Sequence, residues 1–170
     1  TNASAVLKQG ENATIVSLDL KRFFYSVRVN VETLLKACSK DISSQTRLDE
    51  EALRLTRILQ QIHQAYHRKI QYISCETALA EDNEALLPVG LLSSGFLANL
   101  YLSEFDRRVE EYLKPSFYGR YVDDMMFVIA GENVDNPRDF IKRIFVQNTK
   151  LLSFEDAEPT PYLRILNEDE

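Results

Sequence analysis

The chain is poor in the residues that punctuate or cross-link a fold: five glycines, five prolines and two cysteines in 170 residues. So little glycine and proline, with no internal repeat and no low-complexity segment, argues against disorder. Cys38 and Cys75 stand apart, in no CxxC pattern and beside no histidine cluster. They read as reduced thiols of a cytoplasmic protein rather than as a disulfide or zinc framework. No apolar run approaches the roughly 18 residues of a membrane span. The N-terminus lacks the basic-then-apolar pattern of a signal peptide, so no membrane partner is expected. Positive charge is also short. Lys and Arg total 20 against 26 Asp and Glu, a net charge of −6, which is the wrong sign for a free-standing nucleic-acid binder.

What is present suits a soluble domain. Hydrophobic residues make up 45% and charged residues 27%, enough for a real core in one domain spanning residues 1–170. The acidic excess crowds the C-terminal end at Glu155, Asp156, Glu158, Glu168, Asp169 and Glu170, whereas Lys21, Arg22 and Arg28 lie beside Asp19. The chain opens on Thr1 rather than Met, as expected of an excised or trimmed piece of something longer.

Periodicity sets the expected elements. Thr14 to Leu20 is short, apolar and β-branched, and predicts a strand. Val31 to Cys38 predicts a short helix with Asn30 as N-cap. Asp41 to Thr46 reads as a loop. Leu48 to Ile70 carries Leu48, Ala52, Leu55, Ile58, Leu59, Ile62 and Tyr66 at helical spacing, with Arg54, Arg57, Gln61, His63 and Arg68 on the opposite face. Gln71 to Thr77 suits a strand and Ala78 to Leu86 a loop, and Pro88-Val-Gly90 breaks the chain. Ser94 to Leu113 predicts one long helix with Leu97, Leu100, Tyr101, Phe105, Val109 and Tyr112 on one side, ended by Pro115. A hairpin follows. Pro137 then opens a helix through Phe145, capped by Asp135 or Asn136, and Leu151 to Leu166 suits two short strands. The order predicts an α+β layer, an antiparallel sheet with helices on one face.

The hairpin is the informative part. Tyr118-Gly-Arg-Tyr-Val-Asp-Asp-Met-Met-Phe-Val-Ile129 sets Asp123 and Asp124 between two β-forming stretches. Carboxylates so close to apolar strands need a counter-charge, and a divalent metal is the simplest one. Asp19 ends the strand Thr14-Ile-Val-Ser-Leu-Asp19 and supplies a third carboxylate. Three aspartates on neighbouring strands suit two-metal phosphoryl transfer, in which ions about 4 Å apart activate a hydroxyl and neutralise the leaving group. Mg²⁺ prefers such carboxylate oxygens together with water and phosphate. A phosphorylated receiver domain also clusters aspartates at strand ends, but it places the Asp pair first and the single Asp later, with a lysine after both. Here the single Asp comes first.

Asp19-Leu-Lys-Arg-Phe-Phe-Tyr25, Leu87-Pro-Val-Gly-Leu-Leu-Ser-Ser-Gly95 and Arg120-Tyr-Val-Asp-Asp124 resemble, in order, the A, B and C motifs of reverse transcriptases. The likeness spans roughly residues 14–130. It is strongest to the bacterial branch of group II intron, retron and abortive-infection (phage-defence) enzymes, whose third motif takes the form Arg-Tyr-x-Asp-Asp. The resemblance implies a polymerase palm with a catalytic hairpin, building DNA from dNTPs with two Mg²⁺ ions, for which Mn²⁺ can substitute. It implies metal carboxylates at Asp19, Asp123 and Asp124, with the carbonyl of Leu20 helping to hold one ion. Lys21, Arg22, Phe23 and Phe24 would meet the nucleotide triphosphate, and the ring of Phe24 would act as the steric gate against a ribose 2′-hydroxyl. Pro88, Gly90, Ser94 and Tyr121 would line the template and primer. The partners implied are dNTPs and an RNA or DNA template-primer, or a protein primer, together with fingers and thumb regions of the parent chain.

Two departures stand out. Val89 replaces the family's usual Gln, whose side chain lies near the templating base, and Gly95 replaces its usual Pro. Both look most like the defence-associated members, some of which synthesise DNA without a template or from a protein primer. The motif-four lysine is not clearly visible, and Lys150 matches it poorly. An RNA polymerase palm would carry a second Asp where Phe24 stands. The alternative reading is a non-catalytic, palm-shaped scaffold or nucleic-acid-binding fragment.

Overall fold

A computed structural model describes residues 12–40, 50–70, 84–131, 134–155 and 162–165, with the side chains of 36–40, 154–155 and 162–165 left out. The chain divides into two compact units. One joins Thr1–Asp19 to Ser103–Glu170, and the other is Leu20–Leu102. The elements are a mixture of helices and antiparallel strands, an α+β composition.

In the first unit, β1 (Ala13–Asp19), β2 (Phe117–Tyr121) and β3 (Asp124–Ala130) form an antiparallel sheet in the order β1-β3-β2. Period-2 alternation sorts its side chains. Val16 and Leu18 of β1 lie opposite Phe127 and Met125 of β3, which in turn face Tyr118 and Arg120 of β2. This is the inner face. Phe127 is fully buried, stacked on Tyr118 at 4.9 Å and set edge-on to Phe145 at 5.1 Å. Burying a ring of this size contributes about 1.5–3 kcal/mol. The other face carries Asp19, Ser17 and Ile15 opposite Asp124, Met126 and Val128, and it exposes the apolar side chains of Ile15, Phe117, Tyr121 and Met126.

The helices of this unit meet the inner face. Helix α5 (Ser103–Arg108) continues as a widened turn, Val109–Leu113, and closes on Lys114 in the left-handed region at φ 47°, just before Pro115. Helix α6 (Pro137–Ile141) widens into Lys142–Asn148, which supplies Phe145. Of the two expected caps, Asn136 is the one used. Its side chain accepts from the amides of Arg138 and Asp139 at 2.9 and 3.4 Å, with Pro137 in the first turn. The two short strands expected at the C-terminal end are β4 (Leu152–Glu155) and β5 (Tyr162–Ile165), an antiparallel pair.

The second unit holds α1 (Phe23–Ser26), α2 (Val31–Lys40), α3 (Glu50–Ile70) and α4 (Leu92–Tyr101). Asn30 caps α2 as expected, accepting from the Thr33 amide at 3.0 Å. Helix α3 corrects the face assignment made from its sequence. His63 and His67, with Thr56, form its buried side, whereas Leu55, Ile58 and Ile62 are exposed. For His63 the reason is hydrogen bonding. His63 bonds through Nδ1 to the Leu86 carbonyl at 3.1 Å and through Nε2 to the Ser93 hydroxyl at 3.0 Å. A buried polar ring is acceptable when both nitrogens are satisfied.

The long helix expected over Ser94–Leu113 begins earlier, at Leu92, and is interrupted at Leu102. Its buried residues are Ser94, Leu97, Ala98, Leu102, Phe105 and Val109, while Tyr101 and Tyr112 of the expected stripe are exposed. The segment before Pro88 is more ordered than the loop expected there: Val29 and Ala85 exchange backbone hydrogen bonds, and Ala85 to Leu87 are buried. The expected loop at Asp41 to Thr46, the strand at Gln71 to Thr77, Cys75, the first residues of the Ala78–Leu86 loop and most of the acidic C-terminal end lie outside the described residues. No helix among the described residues is long and apolar enough to cross a membrane.

Candidate active site

The hairpin linking β2 to β3 turns through Val122 and Asp123, since Tyr121 pairs directly with Asp124. Two-residue turns of this kind match the right-handed twist of the strands only if the first turn residue has positive φ. Val122 has φ 56°. For a β-branched residue that conformation is an outlier costing roughly 1–2 kcal/mol. The strain marks a turn held in shape by its surroundings rather than by its own preference.

Those surroundings are visible beneath the sheet. Arg120, on the inner face, sends Nη1 to the Val122 carbonyl at 2.8 Å. The rest of its guanidinium meets Asp106 of α5, with Nε to Oδ1 at 2.8 Å and Nη2 to Oδ2 at 2.5 Å. This is the two-pronged geometry that Arg and a carboxylate favour. Tyr118 donates its hydroxyl to Asp106 Oδ1 at 2.6 Å. The Arg120 side chain is only 8% exposed. The hydrogen bonds to Asp106 raise its pKa, and burial with the same carboxylate pushes the Tyr118 phenol well above its usual value. A hydrogen bond to a charged partner contributes about 1.5–3 kcal/mol in such a setting. Sequence reading missed this network, because Asp106 lies on a helix fourteen residues before Arg120 and carries no local signal.

On the opposite face, Asp19 closes β1 directly across from Asp124, the first residue of β3, and Asp123 occupies the adjoining turn. All three predicted carboxylates therefore sit at one end of one sheet. Two like charges directly opposed across strands are destabilising on their own. The donor chemistry fits a hard divalent cation, which takes carboxylate oxygens. The backbone supplies that placement, and the side chains are not drawn together: among the described residues no group of three or more acidic, histidine or cysteine side chains is gathered closely enough to hold a metal ion.

Leu20 and the residues after it belong to the second unit. Arg22 takes the left-handed conformation at φ 56° and leads into α1. The Phe23 amide donates to the Leu20 carbonyl at 3.1 Å, which leaves that oxygen one further lone pair. Lys21 and Arg22 are exposed. Phe23 is buried, edge-on to Phe24 at 5.6 Å and to Tyr101 at 6.3 Å, while Phe24 is half-buried.

Pro88-Val-Gly-Leu91 makes a tight turn, with the Leu91 amide reaching the Pro88 carbonyl at 3.4 Å. Gly90 sits in its third place at φ 89°, a position that needs glycine. Val89 is exposed, and open space lies where a side chain on Gly95 would stand. Pro88 is buried. The Ser94 hydroxyl is buried without a hydrogen-bond partner among the described residues, so it does not face outward. Tyr121, by contrast, is 81% exposed on the sheet face that bears Asp19 and Asp124.

A protein-family model described as reverse transcriptase (RNA-dependent DNA polymerase) matches residues 2–151. No curated protein and no solved structure matches the chain.

Proposed function

The chain belongs to the reverse transcriptase family, and from that premise we propose that it is the palm of a DNA-building nucleotidyltransferase whose metal carboxylates are Asp19, Asp123 and Asp124. The family's reaction in general is RNA-directed DNA synthesis from dNTPs on a nucleic-acid template-primer. The observation that carries the proposal for this chain is the register: Asp19 opposes Asp124 at the sheet's end, and Asp123 sits in the turn beside them.

Bound divalent ions would activate the primer hydroxyl and neutralise the leaving pyrophosphate. The chain's own contribution is placement. The sheet presents the two opposed carboxylates on its open face, and the strained turn adds the third. The exposed ring of Tyr121 offers a flat apolar surface on the same face, suited to the end of a primer. Phe24 is the proposed gate residue, selecting deoxynucleotides through the bulk of its ring. Lys21 and Arg22 bring exposed positive charge to the segment that follows Asp19.

The motif Arg120-Tyr-Val-Asp-Asp124 supports assignment to the bacterial branch, and Val89 and Gly95 support the defence-associated members. With no Gln side chain at position 89, the turn lacks the group the family sets near the templating base, which favours synthesis that does not read a template. The direct test gives the full-length protein Mg²⁺ or Mn²⁺ and labelled dNTPs, with and without an RNA template. The expected result is DNA product that Asp123→Asn with Asp124→Asn abolishes. Equal product from the wild type and the double variant would sink the metal-site reading and leave a palm-shaped scaffold in its place. DNA recovered covalently attached to protein would identify a protein primer.

A further inference from the structure

We propose that Arg120 is a positioning residue, a strut that fixes the turn carrying Asp123 from beneath the sheet by tying the Val122 carbonyl to Asp106 of α5. The proposal rests on the reading of Asp123 and Asp124 as metal carboxylates, and it adds a part outside that set. Arg120 points to the helix side of the sheet, away from the face that bears Asp19 and Asp124, so it acts through the backbone and not on a substrate.

Three observations carry it. Val122 holds a left-handed conformation that a β-branched residue does not choose for itself. The single side-chain bond to its carbonyl comes from Arg120 Nη1, at 2.8 Å among the described residues. The same guanidinium is locked in plane by two bonds to one carboxylate, at 2.8 and 2.5 Å, and is nearly excluded from solvent. A planar fork with two prongs on Asp106 leaves its third donor little freedom, so the height of the turn is set by the helix. Lysine cannot reproduce this, because it offers a point charge without the rigid fork.

The network contains its own control. Tyr118 also bonds Asp106, at 2.6 Å, and interacts with Arg120, but it makes no hydrogen bond to the Val122 carbonyl among the described residues. A weakening of the bonds around Asp106 would follow loss of either the Tyr118 hydroxyl or Arg120, whereas a loss of turn geometry follows removal of Arg120 or Asp106 alone.

The test uses the full-length protein with Arg120→Gln, Asp106→Asn, the two together, Arg120→Lys and Tyr118→Phe. Backbone amide exchange over Tyr121 to Asp124 is measured without metal, and dNTP incorporation with Mn²⁺. Exchange is expected to quicken in Arg120→Gln and Asp106→Asn and to match the wild type in Tyr118→Phe. Misplacing a reacting group by about 1 Å costs up to ~10²-fold in rate, so kcat is expected to fall roughly 10- to 100-fold in Arg120→Gln while KM for dNTP stays within about 3-fold. The double variant is expected to be no worse than the worse single one, because both changes cut one connection. If Arg120→Gln does not fold, Arg120→Lys keeps the charge beside Asp106 and carries the same expectations in weaker form. Unchanged exchange in the turn, or the same loss in Tyr118→Phe as in Arg120→Gln, overturns the strut. Should Asp123→Asn with Asp124→Asn leave incorporation intact, the metal reading fails instead, and the exchange result still decides the strut.

Discussion

Replacing Asp19 by Asn is expected to stabilise the protein in the absence of metal while it removes activity. Asp19 and Asp124 are exposed and directly opposed at the end of the β1–β3 pair. Directly opposed side chains stand about 5 Å apart at Cβ, where two unit charges in water repel by about 0.8 kcal/mol. At 0.1 M salt the ~10 Å Debye length reduces that to about 0.5 kcal/mol. Asn removes one charge and keeps the shape, so its variant should melt about 1–3 °C above the wild type in EDTA at low salt, given roughly 2–4 °C per kcal/mol for a chain of this size. The gap should narrow as salt is added. Metal should then reverse the order, because a ligand present at a hundred times its Kd adds about 2.7 kcal/mol to the state that binds it. The assay is thermal unfolding of both forms in EDTA and across a Mg²⁺ series, beside dNTP incorporation. A variant that melts below the wild type in EDTA would refute the repulsion argument. Equal rises of both forms with Mg²⁺ would refute Asp19 as a metal carboxylate.

Phe127→Ala should cost about 3–5 kcal/mol by denaturant unfolding, since its ring is fully buried between Tyr118 and Phe145 and leaves a cavity; a loss under 1 kcal/mol would mean the sheet does not rest on that contact. Asn136→Ala should cost about 1 kcal/mol through loss of the α6 cap, read in the same experiment, with Asn136→Asp close to neutral. Stability should also fall in mild acid. Burial lowers the pKa of both His63 and His67, so the unfolded chain binds protons that the folded one refuses. Their contribution is complete above the unfolded value of about 6.5 and is lost as pH falls from there toward the folded values. His63→Gln with His67→Gln should flatten the dependence of melting temperature on pH in that window, and an unchanged slope would count against burial as its cause.

The strand and helix boundaries that could be read early were those with local chemistry. Asn30 and Asn136 announce helix starts by side-chain capping, and Thr14 to Asp19 announces a strand by β-branching. The three aspartates were legible because carboxylates beside apolar strands are conspicuous in one dimension. What could not be read depended on distant partners. His63 looked like surface because its face also carries arginines, and only the Leu86 carbonyl and Ser93 hydroxyl, more than twenty residues away, make its burial tolerable. The interruption at Leu102 has no glycine or proline to announce it. Arg120 read as part of a motif, but its bonds to Asp106 and Val122 exist only once the hairpin is laid on a helix.

The β1–β3 register also constrains how the length of this chain can vary. Val16 lies opposite buried Phe127, and Asp19 opposite Asp124. Inserting or deleting one residue between Val16 and Asp19 would keep the core pair and turn the carboxylate through to the helix side, because strand side chains alternate. A change of two residues would restore the face but shift Asp19 one pleat along, about 7 Å from its counterpart. Relatives of this protein should therefore keep the number of residues over these three steps fixed, which makes the spacing a constraint on the strand in its own right, beside the inward Leu18 and the carboxylate of Asp19.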